Sequence, residues 1–553
     1  MKSTTRSKQH GVSPYGVSWP IKTIVFLVIT LHSLLSFSQT WPKYYGEPNR
    51  HDYSRDNIET YDKGNLICGG YFNDDFSGAW LIKTDINGDT LWEKILDCDG
   101  YNYLNAVHQT MDGGLLACGA IQLNQSNQMP FIIKLNSCGE KMWCKAFASN
   151  FQDNAWAQSI KEISSGEIVV LVNWWGEAPE ETVHLFKLNP YGDVLWQEPY
   201  CTGYEHPEAA IPYGRSIMIT SQKEYLISGD VYWEDPWNPG GAKPLRPLFA
   251  LVDSLGNEKW VLPFGLTDTI HGTGDNLLEL GNGDFVGVGS YWTNQVYVEP
   301  LFMKFDADGN ELDYQILYTS EITPDLVGGS YSYLKSIGTD YYSGGIFGFP
   351  EDDVNPVLET KLELDVLNFV FTPLANKIHE ENGYPYTLGK TTDNKLLSNS
   401  TFQESGNWDI SLSKLNLDLE YDTLYPGTYT YDSLCTEAGL PQSGFIFLDD
   451  CDIITGIDVP SPEEYYAHLR TIPISVYPNP TSENVNFAME NTQHHNDITL
   501  RCFNLMGNQV FKTPVATGQT ECSTVVQGWP QGMYVAVVYS NGFPVGECKF
   551  VVQ

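Results

Sequence analysis

The segment Lys83-Thr-Asp85-Ile-Asn-Gly88-Asp-Thr-Leu-Trp92 decides the fold, because its pattern returns along most of the chain. Lys134, Asn136, Gly139 and Trp143 repeat it, as do Lys187, Asn189, Gly192 and Trp196, and then Leu251, Asp253, Gly256 and Trp260. Lys304, Asp306 and Gly309 follow, with Asp313 in the tryptophan position. Weaker copies begin at Lys361 and Lys414, where the glycine and tryptophan are lost. The first positions lie 51, 53, 64, 53, 57 and 53 residues apart. A period of this size marks a repeat architecture, in which each unit buries its apolar faces against its neighbours.

Each copy reads as strands. Apolar runs such as Leu66-Ile67-Cys68 and Leu115-Leu116-Ala117 follow glycine-containing turns, and a second run, such as Ala79-Trp80-Leu81-Ile82, leads to the lysine. The Asx-x-x-Gly segment predicts a tight hairpin turn, the Asx side chain bonding the backbone and glycine taking the positive φ. With the strand before the first turn, such as Ala106-Val107-His108, each copy supplies four short antiparallel strands, one propeller blade. The expected fold is all-β: a β-propeller of about seven four-stranded blades, six or eight remaining open, followed by a small C-terminal β-sandwich. Trp41 lies 51 residues before Trp92, which predicts an N-terminal strand that completes the last blade and closes the ring. Tyr421 to Tyr425 competes for the same place.

Residues 1–38 read as a signal peptide: Lys2, Arg6, Lys8 and Lys22 precede the apolar run Ile24 to Leu35, which ends in Ser36-Phe37-Ser38. That run is too short to span a bilayer, and no later segment is apolar enough to span one. The formal charge of −38 becomes −42 once the leader's four cations are removed. Nucleic acid and anionic lipid are therefore not expected partners. Eleven cysteines, an odd number, are bound for a compartment where disulfides form. Cys435 and Cys451 flank a short stretch in the region 431–473, read as a linker behind a body at 39–430, and are the pair expected to bridge.

The last region, 474–553, carries Tyr477-Pro478-Asn479-Pro480, then Leu505-Met506-Gly507-Asn508-Gln509-Val510, Pro530-Gln531-Gly532-Met533-Tyr534 and Lys549-Phe550-Val551-Val552. In that order these motifs resemble the type A sorting domain of the type IX secretion system. The resemblance implies a small β-sandwich read by the outer-membrane translocon of a Gram-negative bacterium, and a protein left on the cell surface or released. Trp529, and the extra cysteines Cys502, Cys522 and Cys548, depart from the family pattern. The body resembles secreted repeat proteins of the same bacteria, which supports its fold and says little about its chemistry.

No nucleophile elbow, P-loop, zinc-protease or dinucleotide motif is present. Asp306-Ala-Asp308-Gly309-Asn310 and Asp85-Ile-Asn87-Gly88-Asp89 resemble half of a calcium loop, but they lack its terminal glutamate and coincide with the repeat turn. No catalytic residue, metal or cofactor is assigned. Long loops opposite the short turns carry Trp174-Trp175, Trp233 with Trp237, and Tyr291-Trp292 in three successive copies. Aromatics beside carboxylates suit sugar rings or protein partners. The reading is of an exported protein binding an extracellular glycan or protein on that face, against the alternatives of a polysaccharide hydrolase or a structural surface component.

Overall fold

A computed structural model of the chain describes residues 40–553 apart from 73–76, 99, 124–126, 149–153, 176–181, 201–211, 233–244, 266–269, 294–296, 349–354, 405, 432–434, 436–442, 456–471, 491, 493–497, 505–507 and 541–542. The expected signal peptide lies outside the described residues.

The hairpin turns form as their sequence requires. Asp85 accepts hydrogen bonds from the backbone N–H groups of Asn87 (2.8 Å) and Asp89 (2.9 Å), and Gly88 takes φ +80°. Asn136, Asn189, Asp253, Asp306 and Asn416 make the same pair of bonds. In the calcium-like segments the leading acids, Asp85 and Asp306, thus accept from their own turn backbone, and Asp89 accepts from Lys43.

Blade 1 consists of His51–Glu59, Asn65–Phe72, Ser77–Thr84 and Thr90–Asp97, hydrogen-bonded in that order. Blades 2 to 5 repeat this plan from inner strands Asn102–Gln109, Asn154–Glu162, Pro212–Ile219 and Asn276–Glu279. Blade 6 begins at Val327–Ile337, and its outer strand runs without a break into the inner strand of blade 7 as Val370–Lys390. Residues 370–382 of that strand pair with Pro356–Asp365 and residues 383–390 with Leu396–Glu404, so two blades share one continuous sheet. Blade 7 is completed by the N-terminal strand: Lys43–Tyr45 pairs with Asn407–Leu415, opposite Leu412, Ser411 and Ile410. The inner strands neighbour one another in cyclic order, blade 7 lying against both blade 6 and blade 1, so seven blades close the ring. Tyr421 makes one isolated bridge to Leu415 and then leaves the sheet, which settles the competition for the outer position.

The rim tryptophans explain why glycine and tryptophan disappear together. A Cβ on Gly88 would lie 2.9 Å from Trp41, one on Gly139 2.9 Å from Trp92, one on Gly192 3.0 Å from Trp143, and one on Gly309 2.7 Å from Trp260. Each tryptophan therefore packs on the turn glycine of the next blade. Blade 5 has Asp313 in place of tryptophan, and the turn of blade 6 carries Phe369; blade 7, likewise following a blade without tryptophan, carries Leu419. Both keep the positive φ, 48° and 62°, and both are buried. Phe369 lies under the Lys304 ammonium of blade 5, and Leu419 packs with Ile337 and Tyr342 of blade 6. Where no ring arrives from the preceding blade, a large side chain fills the seam from the turn side and offsets the cost of left-handed backbone.

The repeat's lysine is structural as well. Lys83 pairs with Asp62 in its own blade's first turn at 3.0 Å, with both side chains buried. Lys134–Asp112, Lys187–Glu167, Lys304–Asp284, Lys361–Asp340 and Lys414–Asp393 repeat the pair at 2.7 to 3.3 Å. In blade 4, where Leu251 replaces the lysine, Lys259 reaches Glu224 instead.

The expected Cys435–Cys451 bridge is not formed. Cys435 is joined to Cys138 and Cys451 to Cys144, both on blade 2. The reason is that the presumed linker is a strap. Tyr425 exchanges two hydrogen bonds with Asn87, Tyr429 meets Lys83, and the Tyr431 hydroxyl accepts from Trp92 Nε1 and donates to the Ser137 carbonyl. Gly444–Phe447 then adds a parallel strand outside Thr90–Asp97, and Asp452–Thr455 adds one outside Lys141–Ala148. Laid along blade 2, the two cysteines each meet a partner there rather than each other. Cys68, Cys98, Cys118, Cys502, Cys522 and Cys548 are unbridged, and Cys201 lies outside the described residues.

The C-terminal region is the expected sandwich. A three-stranded sheet, Ile474–Tyr477, Asn484–Met489 and Glu521–Val525, faces a four-stranded one, Gln509–Val515, Ile498–Asn504, Gly532–Ser540 and Phe543–Val552, across a core that includes Phe487, Leu500, Tyr534 and Phe550.

Candidate ligand channel and sorting domain

Every inner strand carries a residue too many for its partner, and that of blade 6 carries a second, Gly328. Register shifts leave Arg55, Asn105, Gln158, Arg215, Ser332 and Tyr386 without an opposite residue in blades 1, 2, 3, 4, 6 and 7. In blade 5 the pairings Gly272 with Tyr291 and Asn276 with Val288 leave the same single excess, at the level of Asp275. A bulge of this kind re-aims its side chain, and all seven residues line the central channel, a cavity of about 1450 Å³. The propeller therefore places one side chain per blade, of several different kinds, at a single level of the channel.

Aromatic rings surround that level. Tyr101, Tyr103, Trp156, Tyr213, Tyr333 and Tyr386 all line the cavity. Trp156 and Tyr213 sit with ring centroids 5.8 Å apart, and Gln158 joins them, accepting from Trp156 Nε1 at 3.2 Å and from the Tyr213 hydroxyl at 3.4 Å. The Arg55 guanidinium lies 5.3 Å from the Tyr53 ring and 5.1 Å from that of Tyr386. Arg215 stands over Tyr213 at 5.1 Å and is neutralised by Asp230 and, at 3.2 Å, by Asp275. Burial pushes the Asp275 carboxyl up to about 6, against the pull of Arg215.

The remaining acids of the channel are held by backbone. Asp56 accepts from the N–H groups of Asn57 and Val107, at 2.9 and 3.0 Å. Glu59 accepts from Thr392 N–H and Glu162 from Met111 N–H, each at 2.6 Å, stitching one blade to the turn of its neighbour. Gln109 and Glu279 make the equivalent bonds to Tyr61 and Ser221. Three residues beyond the bulge lie His108, Lys161 and Lys335; burial first, and Lys161 second, drive His108 down to about 3, so this imidazole stays neutral.

The loop-face aromatics are not assembled in the same way. Trp174 is half-buried, stacked 6.4 Å from Phe186 in the core between blades 2 and 3. Tyr291 packs against the blade 4–5 core, and Trp292 is exposed, donating from Nε1 to Ser290 at 3.0 Å. Trp175 ends a strand, but its side chain, like Trp233 and Trp237 altogether, lies outside the described residues.

The channel residues carried a signal in the sequence. An aromatic stands two places before the bulge residue in Tyr53-Ser-Arg55, Tyr103-Leu-Asn105, Trp156-Ala-Gln158, Tyr213-Gly-Arg215 and Tyr384-Pro-Tyr386. This aromatic-x-polar phrase is a second repeat, hidden because its polar member changes from blade to blade.

In the sandwich, the sorting motif has a mechanical role. The Asn479 side chain accepts from Val551 N–H at 2.9 Å and donates to the Lys549 carbonyl at 3.3 Å, between Pro478 and Pro480, so the opening turn is tied to the final strand. Tyr477 is exposed and donates to Glu521 at 3.0 Å. Gly532 begins the strand in which Tyr534 is buried, its hydroxyl bonded to the Pro530 carbonyl at 2.7 Å. Gly507 lies outside the described residues. The unexpected Trp529 packs tilted against Tyr534, with ring centroids 5.1 Å apart.

No curated protein matches the sequence. Among solved structures, similarity is to a polysaccharide lyase, a PL25 ulvan lyase bound to -[GlcA(1-4)Rha3S]-, with 9% identity, 68% of this chain and 96% of that one covered and a TM-score of 0.45. The β-propeller domain of the Trilobed protease from Pyrococcus furiosus matches with 7% identity, 68% and 100% coverage and a TM-score of 0.37. A protein of unknown function from Bacteroides caccae matches with 16% identity, 54% and 89% coverage and a TM-score of 0.33. Such distant likenesses transfer no residue roles. The family model that matches is the secretion system C-terminal sorting domain, over residues 475–553. The chain thus ends in a type IX sorting domain, and the β-propeller in front of it is cargo exported to the cell surface or beyond.

Proposed function

We propose that the exported propeller binds an extracellular glycan in its central channel. The observation that carries this reading is the ring of bulged side chains set among tyrosines and Trp156 in one cavity. Aromatic faces receive the CH faces of sugars while amides such as Asn105 and Gln158 meet hydroxyls. A hydrolase would need two carboxylates free to face a bond, whereas Asp56, Glu59 and Glu162 accept backbone N–H groups and Asp275 faces Arg215; this favours binding. The exposed Trp292 extends the contact surface outside the channel. The test is a glycan array with wild type and Trp156→Ala. Loss of retention with an unchanged thermal transition is the expected result; retention of every bound glycan by the variant would reject the channel.

The outer-membrane partner is the type IX translocon. Deleting residues 474–553 is expected to leave folded body in the periplasm, detected by fractionation. Arrival of the truncated protein at the surface would contradict the role of the tail.

A further inference from the structure

The channel's charges are distributed unevenly. The chain has 69 acidic residues against 31 Lys and Arg, so a cation without a carboxylate partner reflects placement rather than scarcity. Arg55 forms no ion pair among the described residues; its neighbours are the rings of Tyr53 and Tyr386, and it is exposed to the channel. Lys161 and Lys335, three residues beyond the bulges of blades 3 and 6, likewise form no ion pair among the described residues and line the same cavity. The carboxylate that acts on Lys161 and Lys335 is Asp56, which also accepts two backbone N–H groups, and its single charge is outnumbered by the three cations. Burial, and after it the charge of Lys161, pulls the Lys335 ammonium down against the smaller pull of Asp56, so this pair of lysines gains from an added negative charge. The other channel arginine, Arg215, is satisfied by Asp230 and Asp275.

We infer that the glycan taken by the channel is acidic, its carboxylate or sulfate group held by Arg55, Lys161 and Lys335 while Trp156 and the tyrosines hold its rings. This rests on the channel reading and adds the ligand's charge. A planar guanidinium grips either oxyanion through two parallel N–H bonds, and the enclosed site strengthens each charge-assisted bond relative to open water. A strongly acidic protein repels such a polymer everywhere else, so the channel also selects where the polymer enters.

The test uses the purified full-length protein and a fixed panel of oligosaccharides: galacturonan, alginate and chondroitin as carboxylate probes, dextran sulfate as the sulfate probe, and dextran and xylan as neutral ones. Affinity is measured by calorimetry for wild type, Arg55→Gln, Arg55→Lys, Lys161→Met with Lys335→Met, and Trp156→Ala. At least one acidic probe is expected to bind and the neutral ones not to, with binding weakened tenfold or more by Arg55→Gln, recovered in part by Arg55→Lys, and reduced by salt. Preference for uronates or for dextran sulfate assigns the anion. Neutral probes bound as well as acidic ones, or no acidic probe bound, overturn the inference. Binding that is lost in Trp156→Ala but indifferent to Arg55→Gln removes the acidic ligand and keeps the channel; binding indifferent to Trp156→Ala removes both. Unchanged thermal transitions separate these effects from misfolding.

Discussion

The cations at the blade rims and those in the channel live under opposite rules. At the rims, the lysine of each repeat meets an acid of its own blade's first turn, six times at 2.7 to 3.3 Å, with Lys259 standing in where the lysine is missing. In the channel, Arg55, Lys161 and Lys335 stand at positions whose residue changes from blade to blade, and they form no ion pair among the described residues. The rim pairs close polar groups inside each blade, so their loss is a loss of fold. The channel cations close no ion pair of this kind. Charge paired in every blade serves the repeat, whereas charge that differs between blades and forms no ion pair points to what the repeat carries.

The largest effect should come from breaking the rim where the ring closes. Deleting residues 39–50 removes the outer strand of blade 7 together with Trp41, leaves an open sheet edge and uncovers Gly88. Loss of cooperative unfolding and aggregation are expected in calorimetry and light scattering; a transition like that of the wild type would mean that the strap alone seals the ring.

Next comes the rim pair itself. Lys83→Met leaves the buried Asp62 carboxylate unmatched and should cost about 3 to 5 kcal/mol in denaturant unfolding, while Lys83→Met with Asp62→Leu recovers most of it. Burial raises the Asp62 carboxyl and Lys83 with its hydrogen bonds lowers it further, leaving it below the ordinary range. A carboxylate depressed in the folded state contributes stability above its unfolded pKa, about 4, and loses it as pH falls through the lower folded value. The gap between wild type and the double variant should therefore shift against the wild type on acidification below about pH 4. A gap independent of pH would show that the pair is neutral.

A smaller effect is expected at the seam between blades 5 and 6. Phe369→Gly relieves a positive φ but empties a buried ring's place, for a net cost of about 2 to 3 kcal/mol. Adding Asp313→Trp restores the arrangement of the earlier blades and should return part of that loss. No recovery in the double variant would mean that tryptophan and turn side chain do not exchange places. The smallest effect on stability belongs to the channel: Arg55→Gln should stay within about 0.5 kcal/mol of wild type. A loss comparable to that of Lys83→Met would erase the distinction between the two sets of charges.

The strands, the turns and the approximate blade number were legible because their causes are local. Asp85 and Gly88 make a hairpin with atoms that are a few bonds apart, and a tryptophan 51 residues before Trp92 can only be a displaced member of the series. The sorting domain was legible for a related reason: Tyr477-Pro478-Asn479-Pro480 and the terminal Lys549-Phe550-Val551-Val552 are short segments whose order is the signal. The cysteine pairing was not, since proximity in sequence favoured Cys435 with Cys451 and only the strap's path across blades 1 and 2 brings Cys138 and Cys144 to them.

The sequence by itself determined a repeat of strands, a closing N-terminal segment and an address. Tertiary structure alone decided which side chains meet. Arg55, Lys161 and Lys335 come from blades 1, 3 and 6 and share a cavity only after the ring closes, and each bulge exists only as a mismatch between two strands. A loop tryptophan such as Trp174 looks available in sequence because nothing local tells an exposed ring from one stacked on Phe186 of the adjoining strand. Local patterns record what the backbone needs from its nearest neighbours; a binding site depends on distances that close only when the last blade meets the first.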